Sequence, residues 1–125
     1  MKATVFALFT MEAAHRLENV PEGHKCRRLH GHTYEVRVEV YGAVRDELGW
    51  VVDYAAIEKV WRERVHARLD HQNLNDVLPE LKGNTTSELL ADWILGHLSH
   101  GLERPRANLT VEVWETATCG ARVTG

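Results

Sequence analysis

A chain of 125 residues has room for one hydrophobic core, and 44% apolar with 26% charged residues is the balance of a globular protein, so one domain over residues 1–125 is expected. Fifteen Lys and Arg against eighteen Asp and Glu leave a formal charge of −3, which argues against a general nucleic-acid binder with its basic face. No apolar run nears the ~18 residues of a membrane span, no basic-then-apolar leader opens the chain, and two cysteines are too few for a disulfide scaffold; a cytoplasmic protein with free thiols is expected.

In chain order, KATVFALFT (2–10) reads as a strand apolar on both faces and so well buried. Residues 17–29, with Pro21 and Gly23, read as a loop, and residues 32–41 alternate cleanly as a second strand. The turn RDELG leads to a short strand around WVVD. From Asp53, a helix N-cap candidate, Ile57, Val60, Trp61, Val65 and Leu69 recur at helical spacing. A loop follows through HQNLNDVLPELKGN. A second helix opens at NTTSE, where Thr85 and Glu88 have capping-box spacing, and stops near Gly101. ANLTVEVWE alternates again, and ARVTG closes as a short strand. The order predicts an α+β fold, a four-stranded antiparallel sheet with two helices on one face.

The chemistry gathers before and within the second strand, in CRRLHGHTYEVRVEV. Without a bulge, His30 and His32 share the face of Tyr34, Val36, Val38 and Val40, and two imidazoles at i and i+2 can grip one metal ion. His15 shares parity with Val5, Ala7, Phe9 and Met11 and supplies a third nitrogen, the ligand pattern of a catalytic zinc with an open position. Two duller readings stand beside this one. Cys26 could close a structural Cys–His site, or the histidines could be ordinary hydrogen-bonded side chains, as His24, His66, His97 and His100 are expected to be. Lys25, Arg27 and Arg28 form either a solvated turn or a contact for an anionic substrate.

Asp70 and His71, in LDHQNLN, end the first helix. Adjacent side chains rarely bond each other, so a polar helix terminus competes with a proton relay. Glu115 ends the apolar row Leu109, Val111, Val113; it is either a solvated strand end or a carboxylate placed to accept the paired N–H donors of an aminopyrimidinone ring.

The segments FTMEAAHRL, CRRLHGH, LDHQNLN, NTTSE and VWET resemble, in order and spacing, the 6-pyruvoyl-tetrahydropterin synthase family, most closely its bacterial 6-carboxy-tetrahydropterin synthase branch of queuosine biosynthesis. The likeness runs from about Thr4 to Glu115 and leaves out the tail with Cys119. It implies the tunnelling fold, with sheets joining into a barrel in a homohexamer built as a dimer of trimers. It implies zinc on His15, His30 and His32, Cys26 as catalytic thiol rather than ligand, Asp70 and His71 as a relay supplied to a neighbouring subunit, and Glu115 on the pterin ring near Thr86, Ser87 and Glu88. The implied substrate is 7,8-dihydroneopterin triphosphate, and the product is the 6-carboxy compound or, in the other branch, the 6-pyruvoyl one. A zinc-stabilised binding module without catalysis is the rival of a different class.

Overall fold

The computed structural model describes residues 1–125. β1 (Lys2–His15) and β2 (His30–Ala43) form an antiparallel pair along their whole length, from Lys2 opposite Ala43 to His15 opposite His30. Both strands outrun their expected bounds because the alternation continues through the histidines. Odd residues of β1 and even residues of β2 turn inward. Burial of β1 on both faces is corrected: Phe6 is 51% and Leu8 69% exposed, because the helices cover one face of the sheet only.

No strand forms around Trp50–Asp53. Gly49, at φ +71°, turns the chain so that the Arg45 N–H donates to the Trp50 carbonyl, and Arg104 takes the Val51 carbonyl at 2.6 Å. Val51 is buried as its hydrophobicity requires, but as a plug rather than a strand. Asp53 does cap the next helix, accepting from the Ala55 N–H at 2.9 Å. That helix is α1 (Tyr54–Val60), a π-helical stretch Trp61–His66, then α2 (Ala67–Leu69), with Ile57, Trp61, Val65 and Leu69 buried as their spacing requires.

β3 (Gln72–Asn73), hidden in an expected loop, pairs parallel to β1 through Ala13 and Ala14, and α3 (Leu74–Val77) follows it. α4 (Ser87–Leu102) is capped by Thr86, whose hydroxyl accepts from the Leu89 N–H, and not by Thr85, which is buried. It runs past Gly101 to a left-handed Glu103 at φ +54°. Gly101 is a helix-packing glycine rather than a stop: a Cβ there would meet Val60 Cγ1 at 2.5 Å. β4 (Leu109–Trp114) and β5 (Gly120–Thr124) complete the sheet in the order β3-β1-β2-β4-β5. The four expected antiparallel strands are present; the correction is the fifth, parallel β3. The core lies between this sheet and the helices, and it includes Tyr34, Val36, Val38, Val111, Leu90 and Ile94. No helix is long and apolar enough to cross a membrane.

Candidate metal centre and the groups around it

Because β2 runs unbroken back to His30, its two histidines project toward the core with Tyr34, and His15 meets them from the end of β1. The ligand nitrogens of His15, His30 and His32 all lie within 4.8 Å of one another. Their ring centroids are 4.6, 4.9 and 5.2 Å apart.

Backbone carbonyls set two of the tautomers. His15 Nδ1 donates to the Thr85 carbonyl at 2.7 Å and His30 Nδ1 to the Arg28 carbonyl at 2.6 Å. A carbonyl only accepts, so Nδ1 carries the hydrogen and Nε2 keeps its lone pair. Burial, first among the causes, lowers both His15 and His32 from the ordinary histidine value, opposed by the Thr85 hydrogen bond at His15 and by Glu115 at both. Nε2 of His15 and Nε2 of His32 are buried without a hydrogen-bond partner. The Glu115 carboxylate reaches over them, Oε1 lying 3.5 Å from His15 Nε2 and 3.8 Å from His32 Nε2. The Nε2 lone pairs of His15 and His30 and the Glu115 carboxylate thus converge, with His32 Nε2 beside them. A cation is what such a donor set fits.

Cys26 Sγ is not among the clustered ligand atoms. The residue is half-buried on a 3₁₀ turn, Lys25–Arg27, and its carbonyl accepts from the Leu17 N–H at 2.7 Å, which ties the turn beside the end of β1. His24 caps this turn, Nδ1 accepting from the Cys26 N–H at 3.0 Å, the structural role expected of it. Glu115 keeps its predicted register at the end of β4, its N–H donating to the Cys119 carbonyl at 3.0 Å.

Asp70 and His71 do bond each other, which corrects the expectation that neighbours would not. Asp70 Oδ2 accepts from His71 Nδ1 at 2.6 Å, and Asp70 Oδ1 accepts from the Glu12 N–H at 2.9 Å. The Glu12 hydrogen bond, above all, holds Asp70 below the usual carboxylate range, and the Asp70 hydrogen bond holds His71 above the usual histidine value.

At the start of α4, Thr86 commits its hydroxyl to the cap, Ser87 is buried and Glu88 is exposed. The residue of this segment that touches the cluster is Thr85, which sequence reasoning took for a helix cap. Tandem threonines left the cap one position ambiguous. Tyr34 was missed as part of the site as well, although it is the next inward position after His32. Its ring lies 5.5 Å from that of His32, its hydroxyl is buried without a partner, and burial followed by Glu115 pushes its ionisation far upward, so it stays neutral.

Fold and site together define a class: an α+β chain with three histidines close enough to hold a metal ion at its strand ends, a thiol on the adjoining turn and a bonded Asp–His pair. Residues 4–125 match the 6-pyruvoyl tetrahydropterin synthase family, and the chain belongs to it, as an enzyme of the tunnelling fold. The match takes in the tail beyond Glu115 that the sequence resemblance left out. The Synechocystis 6-carboxy-5,6,7,8-tetrahydropterin synthase is 38% identical over 126 residues, 94% of this chain and 90% of that protein. The Dictyostelium discoideum 6-pyruvoyl tetrahydrobiopterin synthase is 38% identical over 80 residues, 63% of this chain and 59% of that protein's length. The structure of Caenorhabditis elegans 6-pyruvoyl tetrahydropterin synthase superposes with a TM-score of 0.89 at 28% identity, covering 100% of this chain and 96% of that one.

Proposed function

We propose that the chain, as one domain of residues 1–125, acts as a 6-carboxy-5,6,7,8-tetrahydropterin synthase. With zinc on His15, His30 and His32, it converts 7,8-dihydroneopterin triphosphate and water to 6-carboxy-5,6,7,8-tetrahydropterin, acetaldehyde and triphosphate, a step in queuosine biosynthesis. The observation that carries the reading is the convergence of unpartnered Nε2 atoms under the Glu115 carboxylate. The Synechocystis relative, alike over nearly the whole of both chains, supports the carboxy branch.

Zinc held there supplies Lewis acidity, which makes the C–H bonds beside the substrate's side-chain hydroxyls more acidic. Cys26, fixed next to the cluster by its bond from Leu17, takes such a proton as the thiolate. Glu115 accepts the paired ring N–H donors, with Thr86, Ser87 and Glu88 flanking the ring from the start of α4. Lys25, Arg27 and Arg28 offer positive charge to the triphosphate. Asp70 orients His71, which returns protons to the ring.

The His71 side chain, 76% exposed, bonds Asp70 and none of the three histidines; it lines a groove with Glu12 and Thr33, which point to the opposite sheet face, and with His32. This supports a homohexamer, a dimer of trimers with barrel-forming sheets, in which the dyad serves a neighbour's metal site. A reduced Cys26 suits a cytoplasmic setting, and both cysteines are free.

The test is product analysis with zinc-loaded protein and 7,8-dihydroneopterin triphosphate. Acetaldehyde with a 6-carboxy product supports the reading. A 6-pyruvoyl product without acetaldehyde supports the second reading, a 6-pyruvoyl synthase, which the likeness to the C. elegans structure favours. Zinc binding with neither product leaves a zinc-stabilised binding module.

A further inference from the structure

The Asp70–His71 dyad has a third member. His66, the last residue of the π-helical stretch, places Nε2 3.5 Å from Asp70 Oδ2, the oxygen that receives the His71 hydrogen at 2.6 Å. The other oxygen, Oδ1, is occupied by the Glu12 N–H. One carboxylate oxygen therefore faces two imidazoles. The His66 separation is too long for a hydrogen bond, so its influence on Asp70 is electrostatic and depends on its charge. The side chains are 42% exposed for His66 and 76% for His71, so both can take up a proton from solvent. π-helical turns recur at functional sites, and this one ends on the residue that reaches Asp70.

We propose that His66 is a positioning residue for the dyad: through the shared Asp70 oxygen it governs how firmly His71 holds its proton. The proposal rests on the reading of Asp70 and His71 as the relay of the active site. A protonated His66 draws on the Asp70 charge and disfavours a second cation on His71; a neutral His66 leaves that charge to His71 alone. The remaining groups facing them differ between the two. His66 shares its groove with Tyr54, Glu58 and Arg62 and with apolar Phe6 and Leu8 of β1. His71 faces Glu12, whose carboxylate accepts from the Thr33 hydroxyl. Asp70 lies within ion-pair distance of both histidines.

The experiment follows the His71 ring proton by NMR against pH in the full-length protein, in the parent, in His66→Gln and in His66→Lys. The expected order of His71 midpoints is His66→Lys lowest, parent between, His66→Gln highest. The limb of the kcat/KM–pH profile that His71 sets moves in the same order, and the rate at neutral pH changes by about twofold, the worth of an exposed i,i+4 ion pair. A purely structural His66 would move neither the midpoint nor the limb, and identical midpoints in all three proteins overturn the proposal. Undiminished turnover in Asp70→Asn would instead overturn the catalytic reading of the dyad, while the order of midpoints still reports the coupling.

Discussion

Asp70 Oδ2 lies 2.6 Å from Nδ1 of His71, its own neighbour in the chain. The backbone makes this possible: His71 sits at φ +58°, and its N–H donates to the Glu12 carbonyl at 2.6 Å, which folds the imidazole back over the carboxylate. A left-handed non-glycine residue costs about 1–3 kcal/mol. The Glu12 backbone opposes that cost by bonding both residues, donating to Asp70 and accepting from His71.

The pair fixes a pH signature. His71 is held above its ordinary value of 6.5, so its contribution to stability is present below that value and is lost as pH rises through the folded one. Asp70 is held below its ordinary value of 3.8, so its contribution is present above that value and is lost as pH falls through the folded one. Asp70→Asn removes both. The melting-temperature difference between parent and variant should be widest between the two ordinary values, 3.8 and 6.5, and narrow on either side. A difference constant across pH would mean that the bond contributes no linkage.

Cys26→Ala separates a catalytic thiol from a metal ligand. The residue is half-buried and Sγ stands outside the histidine cluster. The variant should keep its zinc content and stay within about 0.5 kcal/mol of parent stability, the usual range for surface changes. Turnover should fall by roughly 10²–10⁴, the contribution of a positioned acid–base group. Zinc loss together with a lower melting temperature would make Cys26 a ligand and the site structural.

Much of this was legible in the sequence where the signal is periodic. Alternation in β2 placed His30 and His32 on the core face, and helical spacing found the buried Ile57, Trp61, Val65 and Leu69 of the first helix. The failures have local causes. Val51 is apolar because it plugs the core, and apolar content alone reads equally as strand. β3 pairs only two residues to β1, too short for any pattern. The π-helical stretch and the left-handed His71 are backbone choices that leave no mark in hydrophobicity. The carbonyls of Thr85 and Arg28, which set the imidazole tautomers, are groups that every residue carries, so no side-chain pattern announces them.

Gly101→Ala tests the helix contact that replaced the expected helix stop. Alanine gains up to about 1 kcal/mol in helix propensity over glycine. Its Cβ, however, would stand 2.5 Å from Val60 Cγ1 and 3.0 Å from Val60 Cγ2. Overpacking of this kind costs roughly 1–3 kcal/mol, so a net loss is expected, read as a lower urea midpoint with unchanged slope. The double variant Val60→Ala/Gly101→Ala should recover part of it. A Gly101→Ala protein as stable as the parent would show that α1 and α4 can separate without cost.

Glu115 stands 3.5 Å from His15 Nε2 and 3.8 Å from His32 Nε2, close enough that it must be asked whether it grips the metal or the substrate. Its place at the end of the apolar row of β4, with its N–H committed to the Cys119 carbonyl, leaves the carboxylate at the edge of the cluster, and the side chain is 31% exposed. A ring-binding role predicts that Glu115→Gln keeps zinc near the parent level while KM for the pterin rises roughly 10- to 100-fold, the worth of a charge-assisted hydrogen bond. His15→Ala, by contrast, removes a proposed ligand whose orientation is set by the Thr85 carbonyl, and zinc content should drop with activity. Zinc measured by metal analysis in both variants decides between the roles, because Glu115→Gln protein that emptied like His15→Ala would place the carboxylate on the metal.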